Sequence, residues 1–255
     1  MVYWSSPAFF RSQTLIDTLL NLVFPVDCVL CGEPAREREF GALCRRCAEG
    51  FLIAERPFCD RCGYRAPAIE GMCGRCRSGE TKFDFGRAAL TLDDALRLTI
   101  HHFKYNDRVS LARPLARGLR SCLERKAFTS EIVVPVPLHP NRERQRGYNQ
   151  ATLLASGLDL PVRTNLIRRR KNTETQTGLT RSGRRLNIQG AFEVRRPVAG
   201  SVLIVDDIRT TGSTINEMAK VLKRNGASRV EVLTLAGIGW LRNQPPLHSE
   251  VSGSR

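Results

Sequence analysis

The chain has 255 residues, 42% of them hydrophobic, and a formal net charge of +15. That length fits one large domain, or a core domain of about 150 residues with a small accessory module, and the apolar content excludes a disordered polymer. The charge favours polyanionic partners such as nucleic acid, phosphorylated metabolites or an anionic surface.

No apolar run approaches the ~20 residues that a bilayer span needs. No basic residue precedes the apolar residues of the opening MVYWSSPAFFR, and no small-residue cleavage site follows them. A signal peptide is therefore not expected, and a cytoplasmic location is. Residues 12–24 (SQTLIDTLLNLVF) place Leu15, Leu19, Leu22 and Val23 on one helical face. An amphipathic N-terminal helix over residues 1–24 is expected, packed on the rest of the protein.

Eight of the nine cysteines form four CxxC pairs: Cys28/Cys31, Cys44/Cys47, Cys59/Cys62 and Cys73/Cys76. In a reducing compartment such pairs read as metal ligands before disulfides. A CxxC turn aims two thiolates at one point, and a tetrahedral Zn2+ needs two such turns, so four turns make two closed, structural sites. Sequential pairing gives two successive zinc ribbons over residues 25–80. Pairing the first turn with the third, and the second with the fourth, is the alternative. Arg36, Arg38, Arg45, Arg46, Arg61, Arg65, Arg75 and Arg77 are spread through this module, either to meet nucleic-acid phosphates or to solvate its surface.

Past the cysteines the pattern changes to α/β. Residues 87–91 read as a strand and residues 93–104 as a helix with an acidic cap. Residues 110–126 read as a second helix with Pro114 tolerated near its first turn. His101 and His102 are adjacent and have no third ligand in view. Lys104 is a lone cation before a loop and a candidate phosphate contact. Residues 132–136 (IVVPV) form a buried-strand candidate, followed by an arginine-rich turn with Arg142, Arg144 and Arg146 and a helix over 149–156. Guanidinium groups delivered to a strand end suit phosphate.

Residues 168–190 lack periodicity and read as a long functional loop. Residues 141–190 hold eleven Arg/Lys against three Asp/Glu, more than half of the net charge in a fifth of the length. The most informative segment is VLIVDDIRTTGST, residues 202–214. Four aliphatic residues form a central strand ending at Asp206 and Asp207, and a hydroxyl-and-glycine turn leads into a helical pattern over 215–223. The backbone amides of Arg209, Thr210, Thr211, Gly212, Ser213 and Thr214, with the four hydroxyls among them, can cradle a monophosphate. Asp206 and Asp207 only accept, which suits ribose hydroxyls or an outer-shell Mg2+. Residues 229–235 (RVEVLTL) read as an alternating strand that closes the sheet, and residues 241–255 as a disordered tail.

The VLIVDDIRTTGST segment resembles the phosphoribosyl pyrophosphate (PRPP) motif of type I phosphoribosyltransferases. The Pro-Val-Pro segment with its basic sequel is similar to that of amidophosphoribosyltransferases. Together with the cysteine pattern, PVPLH, RQRGYNQA and NIQGAF, these segments resemble the ComF/GntX family. The resemblance implies a double zinc ribbon joined to a type I phosphoribosyltransferase-like α/β domain (residues 81–240) with a mostly parallel sheet. It implies PRPP or a nucleotide monophosphate with Mg2+ in the site. It also implies handling of single-stranded DNA in natural transformation, with competence or recombination proteins as partners. An active phosphoribosyltransferase of nucleotide metabolism is the alternative, because regulators keep the same ligand site without turnover.

Overall fold

A computed structural model of the chain describes residues 26–65, 69–171 and 186–237. The expected N-terminal helix and C-terminal tail lie outside the described residues, as do residues 172–185 of the basic loop. In chain order the elements are α1 (Arg45–Glu49), α2 (Gly74–Arg77), β1 (Phe85–Leu90), α3 (Asp94–Tyr105), α4 (Ala112–Arg125), β2 (Ile132–Pro135), α5 (Pro140–Arg146) and α6 (Gln150–Ala155). They continue with β3 (Ile167–Arg169), β4 (Phe192–Val194), β5 (Ser201–Arg209), α7 (Ser213–Arg224) and β6 (Arg229–Gly237).

Four strands form one sheet in the order β1-β6-β5-β2, and every pair in it is parallel. β3 and β4 make a separate antiparallel ribbon. Parallel strands are covered on both faces, so the central ones are apolar almost throughout. β5 is buried from Val202 to Val205, and β6 from Val230 to Ala236. β2 lies beside β5 and tolerates Pro135 as its last residue.

Three expectations change on this frame. β6 does not alternate between core and solvent. Its Glu231 is fully buried, and accepts hydrogen bonds from the Thr129 and Ser130 amides (2.8 and 2.9 Å), the Ser130 hydroxyl (2.7 Å) and Arg229 Nε (2.9 Å). With the Thr129 hydroxyl (3.3 Å) there are five donors, and they make a carboxylate tolerable there. The arginine-rich turn is instead a helix, α5, opened by His139 and Pro140 and closed by Gly147 in the left-handed region. The basic loop is also shorter than its composition suggests, because Arg168 and Arg169 belong to β3 and pair with β4.

Both ribbons are built into the core of the sheet domain. The first contributes Phe40, Leu43, Ala48 and Phe51 to a cluster with α3, α4 and the Leu203, Val205, Leu233 and Leu235 side chains. The second contributes its four cysteines and Phe83 to a cluster with α7 and the Val202, Ile204, Val230 and Val232 side chains. Strand residues of alternate parity therefore meet different ribbons, as a period of two requires. At the second junction, the Gly86 amide donates to the Arg61 carbonyl (2.8 Å), and a Cβ on Gly63 would sit 2.5 Å from the Gly86 carbonyl oxygen. Gly63 also has φ +66°, so only glycine fits this approach.

Candidate functional site

The eight paired cysteines gather into two groups, Cys28/Cys31/Cys44/Cys47 and Cys59/Cys62/Cys73/Cys76. The pairing is sequential. Within each group the four Sγ atoms lie within 4.8 Å of one another. The Cys31–Cys44, Cys59–Cys76 and Cys62–Cys73 Sγ atoms are 3.7 Å apart. A tetrahedron with Zn–S bonds of about 2.3 Å has edges of about 3.8 Å, so the thiolates fit Zn2+ without rearrangement. The second site is the more deeply enclosed, with all four cysteines buried, and its Cys59 Sγ accepts from the Cys73 amide at 3.2 Å. These are two zinc-binding sites, each built from four cysteine thiolates.

The ribbon arginines divide. Arg45 pairs with Glu37. Arg61 donates to the Phe83 carbonyl (3.0 Å), Arg65 to the Thr91 hydroxyl (3.1 Å) and Arg75 to the Thr211 carbonyl (3.1 Å). These guanidinium groups fasten the module to itself and to the sheet domain, which is a third use besides phosphate contact and a solvated face.

The second candidate centre lies where β5 ends. The strand runs on through Asp206 and Asp207 to Arg209, four residues past the expected Val205. Thr210, Thr211 and Gly212 make the turn, and Ser213 and Thr214 open α7, a helix of 12 residues. Gly212 has φ +75° with nothing closer than the Arg209 side chain at 3.8 Å, so its backbone conformation and not crowding calls for glycine. The Thr211 and Ser213 hydroxyls are 2.9 Å apart, and the Ser213 amide donates to Thr211 Oγ1 at 3.3 Å. Except for Arg209, the residues from 209 to 214 stay at least partly open to solvent.

Arg209 turns away from that opening. Its guanidinium is buried, donates to the Cys62 carbonyl and stands 5.8 Å from the Phe83 ring centre. Burial pulls it below the usual arginine value, and the field of Arg75 adds to this. The loop is thus backed by the second ribbon from two sides, Arg209 reaching in and Arg75 reaching out. Asn216 in the first turn of α7 adds a third tie, accepting from the Lys82 amide at 3.0 Å.

Two cations, Lys104 and Arg169, act on the acidic pair. Lys104, from the last turn of α3, places its Nζ 2.6 Å from Asp207 Oδ2, with the Asp207 side chain 5% exposed. Burial works against the Lys104 ammonium, but Asp207 and then Asp206 outweigh it and leave lysine above its ordinary value. Burial and the adjacent Asp207 charge push the Asp206 carboxyl up to about 7, opposed by Lys104 and Arg169. A hydroxyl donor or a cation placed beside Asp206 would favour its ionised form. Arg169, buried in β3, feels both Arg142 and Asp206.

Among the predicted basic residues, then, Lys104 joins the acidic pair and Arg142 acts near it through Arg169. Arg144 instead donates to Asn141 (2.6 Å), and Arg146 lies 5.1 Å from the exposed Tyr105 ring. Two contributors escape a reading of the sequence. Arg169 is concealed in a basic stretch whose strand pairing has no local signal. Arg75 is only one of eight ribbon arginines there, inside a cysteine knuckle with its partner 136 residues away. Behind α5, Asn149 caps α6 and ties it to the residue that follows β2, donating to the Val136 carbonyl at 3.1 Å.

Family models agree with this architecture. A double zinc ribbon domain matches residues 19–77, and a phosphoribosyl transferase domain matches residues 144–249. Competence protein F of Haemophilus influenzae is 34% identical over 212 residues, covering 76% of this chain and 90% of that protein. The chain belongs to the competence protein F (ComF) family. The DNA utilization protein YhgH of Salmonella typhimurium is 33% identical over 84% of this chain and 98% of its own length. Competence protein ComFC of Bacillus subtilis is 28% identical over 76% of this chain and 83% of its own. No helix among the described residues of this ComF-family chain is long and apolar enough to cross a membrane.

Metal analysis of the purified protein should return about two zinc ions per chain. Cys59→Ser should lower the content to about one and depress the melting temperature more than Cys31→Ser, because Cys59 is buried in the shared core and Cys31 is exposed. Equal effects of the two substitutions would contradict the described coupling.

Proposed function

We propose that this ComF-family protein holds PRPP, or another ribose 5-phosphate, at the junction of β5 and α7 and handles single-stranded DNA in the cytoplasm during natural transformation. The observation that carries the reading is the succession at one strand end: two carboxylates, a partly exposed turn of amides and hydroxyls, and the N-terminus of a 12-residue helix. The 5-phosphate would take the amides and hydroxyls from Thr210 to Thr214, where the helix end favours an anion. The ribose hydroxyls would donate to Asp206 and Asp207. Mg2+, when bound with PRPP, neutralises the pyrophosphate charge.

The DNA half of the reading rests on charge and on the company the chain keeps. Its relatives carry names of competence and DNA utilization. The α5 helix carries Arg142, Arg144 and Arg146, the last of them 5.1 Å from the exposed ring of Tyr105, and a basic helix with an aromatic neighbour suits a single strand. Competence or recombination proteins are the partners such a role implies.

Two measurements check the two halves. Calorimetry with PRPP and Mg2+ should show binding by the wild type and none by Asp206→Ala/Asp207→Ala, with the melting transition retained. Undiminished binding by the double variant would refute the site. Single-stranded DNA should bind in a salt-sensitive manner, and replacing Arg142, Arg144 and Arg146 by Ala should weaken it at least about tenfold and flatten the salt slope by up to about 2. Unchanged affinity at fixed salt would remove α5 from the DNA path.

A further inference from the structure

The chain pairs a sugar-phosphate site with a proposed DNA path, and DNA itself offers sugar phosphates. Something in such a site has to tell ribose from deoxyribose. The Lys104–Asp207 pair is the feature placed to do so.

Lys104 cannot be read as a free phosphate ligand, because its Nζ is committed to Asp207 at 2.6 Å. Its helix is held at both ends. Asp93 caps the start of α3 by accepting from the Leu96 amide at 2.8 Å, and Leu96, Ile100 and Phe103 bury the inner face. At the other end the Tyr148 hydroxyl donates to the Phe103 carbonyl, one residue before Lys104. The lysine therefore approaches the strand end from a fixed platform. The cation also sits in the last turn of a helix, where the carbonyl dipoles favour it.

Asp207 is immobilised in turn. Its Oδ2 faces Lys104 and its Oδ1 accepts from the Ile208 amide. Asp206 keeps some surface exposure although its carboxyl is largely desolvated, and accepts from the Asp207 amide at 2.9 Å. Lys104 holds the Asp207 carboxylate in place, and the neighbouring Asp206 is the less buried residue of the pair by surface exposure. A buried ion pair is seldom retained for stability alone, since an apolar replacement often serves the fold as well. A pair that orients a ligand acceptor has a separate reason to persist.

We propose that Lys104 is a specificity-determining positioning residue: by fixing the Asp207 carboxylate it makes the site require a 2,3-diol and reject 2-deoxyribose 5-phosphate. The inference rests on the ribose-phosphate reading of the site. It replaces the sequence-based expectation that Lys104 meets phosphate directly. Its consequence is that the 5′-phosphorylated ends of DNA do not occupy the sugar-phosphate site while the protein holds a strand elsewhere.

The test is a calorimetric comparison of ribose 5-phosphate, 2-deoxyribose 5-phosphate and inorganic phosphate on the full chain. The wild type should prefer the ribose compound at least about tenfold, as expected when a hydroxyl hydrogen-bonded to a charged group is lost. Lys104→Met should bring that ratio close to one while leaving the affinity for inorganic phosphate within about twofold. Lys104→Arg, which keeps the charge, should retain most of the preference. If Lys104→Met does not fold, Lys104→Gln carries the same comparison. A merely structural lysine would weaken all three ligands together and leave the ratio alone, which overturns the inference. A wild type that binds neither sugar phosphate overturns the ribose-site reading and this inference with it. A wild type that discriminates, with Lys104→Met discriminating equally, overturns this inference only.

Discussion

The second cluster of four thiolates is the constraint on which the candidate site depends. Its Cys62 carbonyl receives Arg209, and the helix between Cys73 and Cys76 sends Arg75 to the Thr211 carbonyl. The start and the middle of the turn that would hold a phosphate are thereby fixed by groups inside a metal knuckle. A ribbon of this size cannot fold on its own apolar surface. Burying a residue such as Phe83 contributes about 1.5–3 kcal/mol, whereas a structural zinc contributes on the order of 10 kcal/mol or more. The metal dominates, and the loop takes its geometry from it.

The two ribbons differ in what they support. The first packs on the α3 and α4 side of the sheet and so stands behind the helix that delivers Lys104. The second packs on the α7 side and stands behind the turn between β5 and α7. Each half of the candidate site, acidic pair and anion cradle, is thus steadied through a different face of one sheet. The residue-level consequence is visible in β5, where Leu203 and Val205 belong to one cluster and Val202 and Ile204 to the other. Charge alone, by contrast, overstates the polyanion-binding surface, because many of the 40 Lys and Arg residues are structural. Arg61, Arg65, Arg75 and Arg209 close ribbon and sheet contacts, and Arg87 lies 4.1 Å from the Phe85 ring centre while donating to the Asp60 carbonyl.

Much of this was legible in the sequence, and for identifiable reasons. Parallel strands announce themselves as short aliphatic runs, so β2 and β5 were found within a few residues, and Asp93 and Asn149 marked the starts of α3 and α6. The cysteine spacings implied two four-thiolate sites but could not choose their pairing, since a knuckle specifies two ligands and not the partner that supplies the other two. The VLIVDDIRTTGST segment located the acidic pair and the loop. Long-range contacts were not legible. Nothing near Arg209 tells that its guanidinium points into a ribbon, nothing near Lys104 tells that it meets Asp207, and Glu231 looked like the exposed phase of an alternating strand because its donors from Thr129 and Ser130 lie far away in the chain.

The account is tested most directly by hydrogen exchange on the full, zinc-loaded chain with and without PRPP and Mg2+. Ligand should slow exchange at the amides from Arg209 to Asn216 and leave the two ribbons, already protected by metal and core, unchanged. Protection confined to other elements, with the β5–α7 turn unaffected at saturating ligand, would contradict the placement of the sugar-phosphate site.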